Sequence, residues 1–115
     1  MSRTPTDRAR ALLRWTADRV LFIPDPVRTE TFQSPEATLR MGGGDCDDHA
    51  PLLAGLAVAC GIPARLRASG MFGRLSHVFP VLKLGTRWVP ADSTLPGATL
   101  GIQAPADTIV DSAEV

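Results

Sequence analysis

Of the two cysteines and two histidines in this 115-residue chain, one of each stands among the signals that a nucleophile and its base require. Cys46 follows Gly42-Gly43-Gly44-Asp45 and opens an alanine- and leucine-rich stretch that closes at Cys60-Gly61-Ile62-Pro63. The pattern predicts a helix over Cys46–Cys60, with Asp45 at the cap, Asp47 and Asp48 in the first turn and Gly61 as the left-handed stop. A thiol in a first turn lies among unpaired N–H groups at the positive end of the helix dipole. Both stabilise a thiolate, and the Cys46 N–H can also face a developing oxyanion. The glycines before it keep side chains away from the approach to sulfur. The three acids would raise the thiol pKa if they pointed at it. Asp45 is therefore expected to cap the helix and Asp47 and Asp48 to turn aside, with an imidazolium partner restoring the thiolate.

A thiol is half a mechanism until a base, held by a third group, stands beside it. His77 lies 31 residues after Cys46, and Asp92 a further 15 residues on. Ser76–Leu84 and Arg87–Ala91 read as strands joined at Gly85-Thr86. In such a hairpin, residues whose numbers sum to about 171 face one another. His77 and Asp92 are then two residues out of register, which is diagonal-neighbour distance on one face. Asp92 can hold one ring nitrogen of His77 and turn the other toward Cys46.

The remaining chemistry-bearing residues read differently. Cys60, beside Ala57-Val58-Ala59, is expected to pack, and about 20 Å of helix separates it from Cys46, which excludes a disulfide between them. His49 sits three residues after Cys46 on the same helix face and reads as a polar residue lining the cleft. A metal site of Cys46, an Asp, His49 and His77 lacks the ligand number and tight spacing of tetrahedral zinc sites. No metal or other cofactor is expected. Trp88 either packs over the sheet or lines a substrate groove.

The elements that must carry these groups are helices first and strands after. Thr4-Pro5 with Asp7 reads as a cap, a first-turn proline and a first-turn acid, opening a helix to about residue 21 whose Trp15 is expected in the core. Ile23–Gln33 reads as a loop, and Ser34-Pro35-Glu36 starts a short helix to about Met41. After Pro63, a short strand over Ala64–Ala68 and a loop over Gly70–Arg74 precede the hairpin. Phe79-Pro80 marks its first strand as edge-like, at least near its start. Residues from about 107 to 115 read as loosely held. The layout is α+β: N-terminal helices and a central buried helix packed on a small antiparallel sheet.

The composition narrows the function classes. At 44% hydrophobic and 21% charged, the chain is globular rather than disordered. Twelve basic and twelve acidic residues cancel, which leaves no footprint for nucleic acid or an anionic membrane. No apolar run approaches the roughly 20 residues that span a bilayer, and the polar N-terminus is no secretory signal. Unpaired cysteines suggest a reducing, cytoplasmic compartment.

Gly44-Asp45-Cys46-Asp47-Asp48, the helix after it and Cys60-Gly61-Ile62-Pro63-Ala64-Arg65-Leu66 resemble the core of the transglutaminase-like superfamily, which has a papain-type fold. His77-Val78-Phe79 and Arg87-Trp88-Val89-Pro90-Ala91-Asp92-Ser93-Thr94 resemble that family's second and third motifs. The resemblance covers about residues 30–95, the core of what would be a single domain over 1–115. It implies Cys46 as nucleophile, His77 as base and Asp92 as orienting acid, in this chain order. Simple bacterial and phage-encoded members are more similar to this chain than the large animal enzymes. No upstream aromatic matches the oxyanion-stabilising residue of those enzymes. Gln33, Asp45, His49 and Trp88 are the candidates for oxyanion or substrate contacts. The implied function is thiol-dependent acyl transfer on an amide bond of a peptide or protein, as a peptidase, amidase or transamidase. The alternative is a catalytically silent binding or assembly module, such as one in a phage particle. An open sheet edge could receive an extended peptide or a second copy of the chain.

Overall fold

The computed structural model describes residues 4–22, 43–44 and 46–115, and the side chains of 4–20 and 48–115. The expected loop over Ile23–Gln33 and short helix over Ser34–Met41 lie outside the described residues, as do Gln33 and Asp45.

Helix α1 spans Pro5–Arg19 and begins as its cap signal predicts: the Asp7 N–H donates to Thr4 Oγ1 at 3.1 Å. It buries Ala9, Leu13 and Thr16, and the Thr16 hydroxyl donates to the Leu12 carbonyl at 2.9 Å, which satisfies that buried polar group. Trp15 does not join the core. It is 38% exposed, and with Leu12, Leu56 and Cys60 it lines a groove of about 360 Å³. Strand β1 (Leu21–Phe22) continues from α1 and runs parallel to β2 (Gly43–Gly44), which ties the glycines preceding Cys46 to the end of the first helix.

Helix α2 spans Cys46–Ala59. Its Leu53, Ala54 and Ala57 pack with Ala9 and Leu13 of α1 and with Ala64, Leu82 and Ala91 in one apolar core. Burial is one-sided toward the end, where Val58 is 43% exposed. Gly61 at φ 82° ends the helix, and the Ile62 N–H returns to the Ala57 carbonyl at 2.9 Å. The chain thus leaves α2 with Cys60 facing outward, a free exposed thiol rather than the packing residue its neighbours suggest.

Strands β3 (Ala64–Met71), β4 (Arg74–Leu84), β5 (Arg87–Pro90) and β6 (Thr108–Asp111) form an antiparallel sheet in the order β5-β4-β3-β6. The β4–β5 register follows the sum of 171 throughout, from Leu84 opposite Arg87 to Val81 opposite Pro90. The expected loop over Gly70–Arg74 is a tight turn instead, with Phe72 and Gly73 both at positive φ. A bulge falls beside it, between Ser69 and Gly70. A Cβ on Gly70 would lie 1.6 Å from the Arg74 carbonyl oxygen, so only glycine fits there.

One expectation about the sheet holds at one end of a strand, and another is overturned. First, β4 is edge-like near its start, where Arg74–Phe79 pairs with β3 alone, and it lies inside the sheet only from Pro80 on, with Phe79–Leu82 buried and hence covered on both faces. Pro80 survives there because the Ala91 N–H donates to the Pro80 carbonyl at 2.9 Å, which places the missing Pro80 N–H on the same side, where β5 is already ending. The proline stops that ladder one residue before Asp92. Second, the segment from about 107 to 115 is not loose. It forms β6, and the Ser112 and Val115 N–H groups donate to the Leu66 and Ala64 carbonyls at 2.8 and 2.9 Å. Arg67 anchors it by a two-pronged contact with Asp111 at 2.7 and 2.9 Å. The pattern is too short and too polar to announce a strand before its partner is known.

Candidate functional site

The β4–β5 hairpin brings His77 and Asp92 together. His77 Nε2 lies 2.5 Å from Asp92 Oδ2, with the histidine side chain 23% exposed and the aspartate 1%. The second carboxylate oxygen is also engaged: Asp92 Oδ1 accepts from the Thr94 hydroxyl at 2.7 Å and from the Thr94 N–H at 3.0 Å. Burial raises the Asp92 carboxyl pKa. The bonds from His77 and from the Thr94 hydroxyl and N–H, with the charge of His77, outweigh it, and the acid titrates below its ordinary value. An ionised acceptor at Nε2 fixes that nitrogen as the N–H, so Nδ1 is the nitrogen able to take a proton. The His77 ring rests 5.5 Å from the Phe79 ring, its neighbour two residues along the same face.

Thr94 was not singled out by sequence reasoning. The signal was present in Asp92-Ser93-Thr94, because an aspartate readily accepts from the backbone N–H two residues on. Ser93 was missed for a different reason: its partner is remote. Ser93 Oγ and His49 Nδ1 lie 2.9 Å apart, with His49 2% and Ser93 8% exposed. His49 is therefore a buried residue joined to the turn after Asp92, not an open lining of the cleft. Asp48 beside it is buried as well.

Cys46 is the first residue of α2, as predicted, immediately after the β2 glycines and Asp45. The His49–Ser93 contact draws this first helical turn against the Asp92 turn. Trp88 is not part of the group. It pairs with Lys83 near the hairpin end, about 13 Å of strand from Asp92, and the Arg65 guanidinium stacks 4.4 Å from its ring centroid. Among the described residues, no cluster of three or more His, Cys, Asp or Glu side chains could hold a metal ion. Also among them, no helix is long and apolar enough to cross a membrane.

A helix opened by a cysteine and packed on an antiparallel sheet that carries a His–Asp pair is an α+β, transglutaminase-like architecture. The family model of the transglutaminase-like superfamily matches residues 1–93, and the chain belongs to that superfamily. Among solved structures it is similar to one described as "a Putative Cysteine Protease from Cytophaga hutchinsonii", with a TM-score of 0.66 and 20% sequence identity. The match covers 96% of this chain and 43% of that one, so the chain spans less than half of that protein's length. No curated protein matches it in sequence.

Proposed function

We propose that the chain catalyses thiol-dependent acyl transfer on an amide bond of a peptide or protein, with Cys46 as nucleophile, His77 as base and Asp92 as the orienting acid. The observation that carries this reading is the His77–Asp92 contact: a buried carboxylate, engaged on both oxygens, holds an imidazole that is itself partly open to solvent. Membership of the superfamily and the place of Cys46 at a helix start support it. In the reaction, His77 Nδ1 takes the Cys46 proton, and the sulfur bonds to the amide carbon while an electron pair moves onto its oxygen. N–H groups at the start of α2 stabilise that oxyanion. Its collapse breaks the C–N bond, and the amine leaves with the proton from His77. Water, deprotonated by the same nitrogen, then attacks the thioester, releases the acid and restores the thiol. Hydrolysis is favoured over transamidation because water needs no second binding site.

An acyl-directed thiol probe tests the proposal in a Cys60→Ser background, since Cys60 is exposed and would label by itself. The expected result is labelling that disappears in Cys46→Ala and falls sharply in His77→Ala. A well-folded protein whose Cys46 stays unlabelled would instead be the silent binding or assembly module.

A further inference from the structure

We propose that His49 is a positioning residue: its hydrogen bond to Ser93 aligns the start of α2, and with it Cys46, against the turn that carries Asp92. The inference builds on the acyl-transfer reading for its catalytic consequence and on geometry for the rest.

Three consecutive residues divide the work. Asp92 holds His77, Thr94 holds Asp92, and Ser93 reaches across to His49. The last contact joins elements 44 residues apart in sequence. His49 stands three positions after Cys46, within the first turn of the same helix. Fixing His49 to Ser93 therefore fixes the first helical turn relative to the residue next to Asp92.

Apolar packing between α2 and the sheet is non-directional and tolerates small slides of one element over the other. Acyl transfer does not tolerate them, since a misplacement of about 1 Å can lower a rate about 10²-fold. A hydrogen bond is directional and supplies the alignment that packing leaves open. A buried imidazole–hydroxyl pair adds little net stability over an apolar pair of the same shape. Alignment, not stability, is what the pair contributes.

The substitutions come in two matched sets. Ser93→Ala and His49→Leu remove the contact. Ser93→Thr keeps the hydroxyl, and His49→Asn places an amide where Nδ1 stood. We expect the first set to lower kcat about tenfold with KM within about twofold, and the second set to stay near the parent. The double variant Ser93→Ala/His49→Leu should be no worse than either single one. A second readout is independent of turnover: exchange of the Thr94 amide hydrogen, which the Asp92 carboxylate protects. It should quicken about tenfold in the first set, while amides of the β3–β4 ladder keep their rates.

Unchanged kcat and unchanged Thr94 exchange in folded Ser93→Ala and His49→Leu would overturn the proposal. So would exchange that quickens evenly through β3, β4 and Thr94, which marks general destabilisation. If the parent protein itself transfers no acyl group, the acyl-transfer reading fails, and selective Thr94 exchange still decides whether His49 positions the turn.

Discussion

The sheet carries two aspartates that each grip a cationic or basic side chain, and the contrast between them sets the proposed catalytic pair against a structural one. Asp111 takes Arg67 in a two-pronged pair whose side chains are 18% and 28% exposed, at the β3–β6 edge. Asp92 takes His77 at the opposite side of the sheet, with the acid 1% exposed and the histidine 23%. Both carboxyls titrate below their ordinary values. For Asp111 the Arg67 bond is the main cause, opposed by burial; for Asp92 burial is the largest single influence, and His77 and Thr94 together overcome it. An arginine stays charged and gives nothing away, so the Arg67 pair can only hold strands together. A histidine held by a buried, ionised acid keeps one nitrogen fixed and the other able to exchange a proton. The buried acid with the partly open base is the pair on which the proposed acyl transfer rests.

The sharpest way to break this contrast is to delete each cationic partner. His77→Ala should lower single-turnover acylation by at least about 10³-fold, as removal of the base does in other triads. Arg67→Ala should leave that rate within about twofold. Equal losses in the two variants would sink the distinction. Asp92→Asn should fall between them, at about 10²- to 10³-fold, because the amide can present N–H to Nε2 and favour the wrong tautomer. The pH–rate profile of acylation by this variant checks the cause: a tautomer effect lowers the plateau across the profile, whereas loss of folding is visible by circular dichroism.

The two pairs were not equally legible in the sequence. His77 and Asp92 lie on one hairpin whose two-residue turn, Gly85-Thr86, fixes the register by local chemistry, so their approach follows from counting. Cys46 was legible because glycines and a cap signal mark a helix start without knowledge of the rest of the chain. Arg67 and Asp111 gave no such sign. Their contact depends on β6 adding to β3 across a stretch without periodicity, and β6 has only Thr108-Ile109-Val110-Asp111 to announce itself. The open side of β4 near its start is legible from Phe79-Pro80, but the point where it closes is hidden for the same reason, since β5 joins β4 only from Pro80 on. His49 is legible as a polar residue near the cleft, but its partner Ser93, 44 residues away, is not. Local signals survive reading one residue at a time; pairings across the fold do not.

Stability should reverse the ranking of the two pairs. Arg67→Ala removes the charge-assisted bonds that hold β6, and about 1 kcal/mol is expected, the scale of a partly exposed pair with good geometry. Denaturant unfolding measures it, and amide exchange at Ile109 and Val110 should quicken more than exchange at Val81 and Leu82. A loss spread evenly over the sheet would mean that β6 is not a separately tethered strand.

The smallest effect lies in acid and salt. Each aspartate has an ordinary pKa of 3.8 and a lower one in the folded protein. Each therefore adds stability that is fully present above about pH 3.8 and is lost as pH falls through the lower folded value. Salt separates the two contributions, because it screens exposed pairs far more than buried ones. In acid unfolding followed between about pH 4 and pH 2, raising the salt should reduce the share removed by Asp111→Asn and leave the share removed by Asp92→Asn. If salt weakens both equally, the Asp92 carboxylate is no better shielded than Asp111, and the two pairs do not differ in the way their burial implies.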